Sequence, residues 1–147
     1  MTITSDTTAR NGDLSFPLDA RITAILPIKN KKDVLAPCLA ALSLASEADG
    51  RVRVVLVDNG STDGALELQR EYAHRFVLMS SSATRVGAVR NAGARADPDA
   101  IAYAFIDSDC VVPADFFAAV RETFAGSKAA AVGCEVVSRP EGHWTER

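Results

Sequence analysis

The chain has 147 residues, with 16 Lys and Arg against 19 Asp and Glu for a net charge of -3, and it is 48% hydrophobic and 24% charged. This composition is ordinary for a soluble globular protein, and the length suits one domain with its own core. The acidic balance argues against a nucleic-acid surface, which needs clustered basic residues; the one tight basic cluster, Lys29, Lys31 and Lys32, sits beside Asp33.

Residues 1–20 are rich in Thr, Ser, Asp and Gly without a period, and read as a flexible leader. Ile22 to Ile28 is an apolar run with the length and composition of a buried strand. Asp33 is placed to cap the helix that follows, with Pro37 expected in its first turn and Asp49-Gly50 ending it. Val52 to Val57 is a second strand. Asp58 to Gly64 is a dense turn-and-cap segment, in which Ser61, Thr62 or Asp63 starts a helix running from about Ala65 to His74. Phe76 to Met79 reads as a third strand and Ser80 to Arg85 as a polar loop. Gly87 to Ala96 is a small-residue helix broken by Asp97-Pro98-Asp99. Ile101 to Ile106 is the next strand, Pro113 opens a helix to about Phe124, and Ala129 to Val137 is expected as a last strand.

Strands alternating with helices predict an α/β fold: a mostly parallel, Rossmann-like sheet with helices on both faces, spanning residues 21–138, before a polar tail over 139–147. In such sheets ligands bind outside the carboxyl ends of the strands, which directs attention to Lys29-Asn30, Asp58-Asn59 and Asp107-Ser108-Asp109. Two carboxylates one residue apart, Asp107 and Asp109, can converge on a hard cation such as Mg2+ or Mn2+; the plainer reading is an Asp-capped turn. Asp58 and Asn59 present acceptors, and Asn59 also donors, able to read the edge of a base; a structural loop would look similar. Across Gly87 to Gly93, small residues allow close backbone approach, and Arg90 can pair with a phosphate or a carboxylate.

Other chemistries lack their signatures. No G-x-G-x-x-G follows the first strand, no phosphate-binding P-loop occurs, and no G-x-S-x-G elbow is present. Cys38, Cys110 and Cys134 lack the close spacing of a metal or redox motif, and read as small buried apolar groups of a reduced, cytoplasmic protein. His74 reads as a surface residue, and His143 in the tail is a minor candidate for a metal site. The start of the chain carries no secretion signal, and Val34 to Ser46 is shorter than the about 20 residues that span a bilayer.

Four segments together resemble the family 2 glycosyltransferases of the GT-A fold. Ile22 to Asn30 looks like their opening strand, an apolar run ending in Pro-x-x-Asn. Val55 to Asp63 is similar to their second-strand motif, Gly87 with Arg90-Asn91-x-Gly93 to their central R-N-x-G element, and Phe105 to Asp109 to their DxD position. The resemblance implies a nucleotide-diphospho-sugar-binding domain. It implies Pro27, Asn30, Asp58, Asn59, Gly87, Arg90, Asn91 and Asp107 in the nucleotide site, with Asp107 and Asp109 on a Mn2+ or Mg2+ ion that bridges the diphosphate of a UDP-, GDP- or dTDP-sugar. An acceptor hydroxyl would attack the anomeric carbon in line, with inversion. Lys29 stands where the family commonly has an aromatic residue, and the family's catalytic base is expected beyond Arg147, in an acceptor-binding half not contained here. Binding without turnover is therefore the expectation for this chain, at the inner face of a membrane if it works at one, and with self-association through an uncovered sheet edge. The alternatives are a non-catalytic nucleotide-binding or interaction module, a nucleotidyltransferase, which usually has a glycine-rich basic loop after the first strand, and a receiver-like signalling domain.

Overall fold

The computed structural model describes residues 16–137. Its elements in order are β1 (Ile22–Ile28), α1 (Lys32–Asp49), β2 (Val52–Asp58), α2 (Ala65–Glu71), β3 (Val77–Ser80), α3 (Val86–Arg95), β4 (Ala102–Phe105) and α4 (Phe116–Ala125). The four strands are parallel in the order β3-β2-β1-β4. The chain therefore moves outward from β1 to β3, then returns past β1 to lay down β4. The carboxyl ends of β1 and β4 flank the point where the order reverses, which is where open α/β sheets bind ligands.

The alternation of side chains along β1 and β2 separates two cores. Ala24, Leu26, Ile28, Val54 and Leu56 pack with Leu35, Leu39 and Leu42 of α1 and Phe117 of α4. Ile25, Val55 and Val57 face the other way and pack with Val89 of α3. Helices thus cover both faces, as expected for a mostly parallel sheet. α1 buries Leu35, Cys38, Leu39, Leu42, Ser43 and Ala45, one helical stripe. It ends at Gly50, whose left-handed φ of 70° lets its N–H reach the Ser46 carbonyl at 3.0 Å.

Gly93 sets how closely α3 approaches the sheet. A Cβ there would lie 2.5 Å from Ile25 Cγ2 and 3.1 Å from Val57 Cγ2, both on buried side chains. The expected result for Gly93→Ala is a loss of about 1–3 kcal/mol from overpacking, only partly offset by the better helix propensity of Ala. A lowered urea midpoint measures it; an unchanged or raised midpoint would show that α3 can shift outward at little cost.

Three expectations are corrected. Pro37 lies in the second turn of α1, because the helix begins at Lys32. Asp33 does not cap α1 but sits exposed in its first turn; Asp63 takes the part from a distance, its Oδ2 accepting the Lys32 N–H at 2.9 Å. Ala129 to Val137 is not a strand but an exposed, irregular run. A strand persists only within a ladder, and this run pairs with no strand among the described residues. The polar leader and tail lie largely outside the described residues, as does His143.

Candidate functional site

The carboxyl end of β1 opens because of Pro27. Arg21, just before β1, and Ile25 within it make hydrogen bonds toward the β4 side: the Arg21 carbonyl accepts from Ile101 N–H at 3.1 Å and the Ile25 carbonyl from Ile106 N–H at 3.1 Å. Residue 27 is the next in that series. Proline has no N–H to donate, so the β1–β4 ladder stops and the two strands part. On the other side β1 continues with β2, and the Asn59 N–H reaches the Ile28 carbonyl at 2.8 Å.

Asn30 follows with a left-handed φ of 52°, a conformation Asn tolerates better than most residues. Its Oδ1 accepts the Thr62 N–H at 2.8 Å, and its own N–H donates to Ser61 Oγ at 3.1 Å. The loop after β1 is thereby fastened to the loop after β2. Asp58, buried at the end of β2, organises the second loop. Its Oδ2 accepts the N–H groups of Gly60 (3.0 Å) and Ser61 (3.1 Å), and its Oδ1 accepts Gln69 Nε2 at 3.1 Å. Burial pushes the Asp58 pKa up, but the hydrogen bonds from Ser61, Gln69 and Gly60 outweigh it and hold the carboxyl below its usual range. Asp63 is also held low, chiefly by the Lys32 N–H, and its Oδ1 receives the Ala65 N–H at 2.9 Å at the start of α2.

Beyond β4 the chain turns at Asp107, whose carbonyl accepts the Cys110 N–H at 3.0 Å. Ser108 is buried while Asp107 and Asp109 are exposed on either side of it, so both carboxylates are free to face the opening. Each meets a cation. Arg90 Nη2 of α3 lies 2.6 Å from Asp107 Oδ1, its guanidinium 5.9 Å from the Phe105 ring centroid, and Lys31 Nζ lies 2.9 Å from Asp109 Oδ2. Arg90 Nε is buried without a partner among the described residues. Cys38 supports the turn from below, its Sγ 3.8 Å from the Asp107 carbonyl. Burial first, then the neighbouring Cys110 and Asp109, push its thiol up to about 12, so it stays an inert SH. Of the other cysteines, Cys110 is half-buried and Cys134 exposed, so the expectation of three buried groups holds fully for Cys38 alone.

Two open clefts occupy this end of the sheet. One, of about 430 Å³, is lined by Pro27, Ile28, Lys29, Lys31, Asn59, Thr84, Val86, Val89, Asp107, Ser108 and Asp109. The other, of about 630 Å³, is lined by Lys29, Asp58, Asn59, Gly60 and Ser80 to Thr84. They share Lys29, Asn59 and Thr84 and so form one groove across the ends of all four strands. Of the residues expected from sequence, Pro27, Asp58, Asn59, Asp107 and Asp109 line the groove, and Arg90 reaches it through Asp107. Asn30 braces the loops, while Gly87 and Asn91 are exposed on α3 and line neither cleft. Sequence reasoning missed Lys31 and the Ser80–Thr84 loop; position after a strand was the available signal for both.

The oxygen donors Asp107 and Asp109 suit a hard divalent cation that takes its remaining ligands from phosphate and water. Among the described residues no group of three or more His, Cys, Asp or Glu is placed to hold a metal, so a cation here would depend on oxygens from a ligand.

Residues 23–147 match the family described as Glycosyl transferase family 2. The chain belongs to that family. Glycosyltransferase AglE of Haloferax volcanii is 30% identical over 93 residues, which is 60% of this chain and 30% of that protein. Validoxylamine A glucosyltransferase of Streptomyces hygroscopicus subsp. limoneus is 29% identical over 119 residues, 77% of this chain and 26% of that protein. The chain thus spans about a third or less of the relatives it matches. Among solved structures, S. aureus TarS 1-349 in complex with UDP aligns with a TM-score of 0.57 at 23% identity, over 69% of this chain and 31% of that one. The mannosyltransferase PcManGT from Pyrobaculum calidifontis, in complex with GDP-Man and Mn2+, aligns with a TM-score of 0.53 at 23% identity, over 72% of this chain and 30% of that one. These likenesses are of fold: the four-stranded parallel sheet is that of GT-A glycosyltransferases. Among the described residues, no helix of this family 2 chain is long and apolar enough to cross a membrane.

Proposed function

We propose that the groove binds a nucleoside-diphosphate sugar, and that the protein transfers the sugar to an acceptor hydroxyl with inversion and divalent-metal assistance. The observation that carries this reading is the position of Asp107 and Asp109 at the reversal point of the sheet, at one end of a groove that continues past Asp58 and Asn59. The nucleoside lies in the cleft between the loops after β2 and β3, where the Asn59 amide can donate and accept at a base edge or ribose, on a loop held rigid by Asp58. The diphosphate lies toward Asp107 and Asp109, with Lys29, Lys31 and Arg90 supplying positive charge. A divalent cation bound by Asp107 and Asp109 would supply Lewis-acid stabilisation of the departing diphosphate. The acceptor oxygen attacks the anomeric carbon opposite that leaving group, which inverts the centre. The general base belongs outside residues 16–137: the groove's carboxylates are Asp58, held by three donors, and Asp107 and Asp109, each paired with a cation.

Calorimetric titration with UDP and with GDP, each with and without Mn2+, tests the reading. Binding of one nucleotide, tightened by Mn2+, is the expected result and identifies the donor class. Absence of binding by both in the presence of Mn2+ would remove the UDP- and GDP-sugar readings.

A further inference from the structure

The two carboxylates at the reversal point are not free to receive a cation. Arg90 holds Asp107 at 2.6 Å and Lys31 holds Asp109 at 2.9 Å, so the four side chains together carry no net charge. Such a cluster attracts a divalent ion weakly, because each approach to a carboxylate is also an approach to an ammonium or guanidinium group. The two cations differ in how they are held. The Arg90 guanidinium sits by the Phe105 ring, with its Nε buried, and is built into the wall. Lys31 Nζ is bonded to Asp109 alone among the described residues, on a side chain 42% exposed and with a flexible stem.

Lys31 also lines the cleft assigned above to the diphosphate. The Lys32 N–H at the start of α1 is already taken by Asp63 Oδ2, and the Leu35 and Val34 N–H groups by the Lys31 carbonyl. Much of the N-terminus of α1 is therefore spent within the protein, and positive charge for a phosphate at the end of β1 has to come from side chains.

We infer that Lys31 is a latch: it occupies Asp109 in the absence of metal, and passes to the donor diphosphate when a divalent cation takes the carboxylate. The exchange conserves charge pairing. Asp109 trades an ammonium for the metal, and the ammonium trades a carboxylate for a phosphate oxygen. Metal and nucleotide thereby assist each other's binding, and reciprocally so, because the coupling is a property of the pair. The destination of Lys31 rests on the nucleotide reading given above; its hold on Asp109 does not.

The test compares the wild-type chain with Lys31→Met and Lys31→Arg, using Mn2+ alone followed by electron paramagnetic resonance of the free ion, and UDP and GDP by calorimetry. With the latch removed, Lys31→Met should bind Mn2+ alone about tenfold more tightly than wild type, within the usual range of coupling between sites. It should bind the nucleotide more weakly in the presence of Mn2+, where the ammonium would have passed to the diphosphate, while Lys31→Arg should stay close to wild type. Thermal melts of the variants confirm folding, which this half-exposed side chain should not disturb. Mn2+ affinity in Lys31→Met equal to or below that of wild type, including no Mn2+ binding, overturns the latch, even where nucleotide binding remains metal-dependent and the donor-site reading stands. Tighter Mn2+ binding with no binding of either nucleotide supports the latch and removes the UDP and GDP readings instead.

Discussion

Replacing Asp107 and Asp109 together by asparagine should make nucleotide binding indifferent to Mn2+, a loss of roughly 10- to 100-fold in affinity when the metal is present, as for typical coupling between two bound groups. Asparagine keeps the shape of the side chain and one acceptor for Arg90 or Lys31, so the turn closed by Asp107 and Cys110 should survive. What it removes is the anionic oxygen that a hard cation requires. Without metal the effect has the opposite sign: loss of two negative charges beside a diphosphate should leave affinity unchanged or slightly raised. Titration of UDP and GDP into both proteins, with and without Mn2+, reads the two signs separately. If Mn2+ still strengthens binding in the double variant, the metal is held elsewhere and the assignment of these carboxylates is wrong.

The second large effect concerns stability. Arg121 of α4 and Asp49 at the end of α1 form a buried two-point ion pair, with Nε to Oδ2 at 2.8 Å and Nη2 to Oδ1 at 2.7 Å. The same guanidinium donates to the Ala20 carbonyl just before β1, so one side chain joins α4, α1 and the chain entering the central strand. Arg121→Met should cost about 3–5 kcal/mol, because it leaves Asp49 as a buried unpaired charge and strips the Ala20 carbonyl of a donor. Against a usual total of about 5–15 kcal/mol, that is a large fraction. The cost should depend on pH. The hydrogen bond from Arg121 is the main cause holding Asp49 below its ordinary pKa. A carboxyl depressed in the folded state contributes stability that is complete above its unfolded pKa of about 3.9 and is lost as pH falls through the folded value. The gap in urea midpoint between wild type and Arg121→Met should therefore be widest near neutrality and narrow in acid below about pH 4. An equal gap at neutral and acid pH would mean that lost packing of the Arg121 stem, not the ion pair, carries the effect.

Much of this protein was legible one residue at a time. The Val- and Ile-rich runs of β1 and β2 are strands because each is buried on both faces, and continuous apolarity is the mark of that environment. Gly50 ends α1 because a left-handed residue is needed there, a local requirement. The polar segments after the strands line the groove because parallel strands deliver their carboxyl ends to one side. What the pattern could not convey is which polar side chains spend their hydrogen bonds inside the protein. Asn30 and Asp58 look from their sequence like ligand-facing groups, yet their oxygens are engaged by Thr62 and by Gly60, Ser61 and Gln69. Ala129 to Val137 has strand composition, but composition alone cannot provide the neighbour a strand requires.

Periodicity, turn residues and ordered motifs sufficed for the α/β alternation, the strand ends that face the groove, and family membership, since each depends on contacts within a few residues or on residue types shared with relatives. Partners distant in the chain were beyond their reach. Lys31 meets Asp109, Arg90 meets Asp107, and Arg121 meets Asp49 across separations of 78, 17 and 72 residues, and Gly93 matters only because Ile25 and Val57 stand behind it. Such pairings arise when crossovers bring separate elements to one end or one face of the sheet, and a charge or a missing Cβ carries no local trace of the neighbour it will meet.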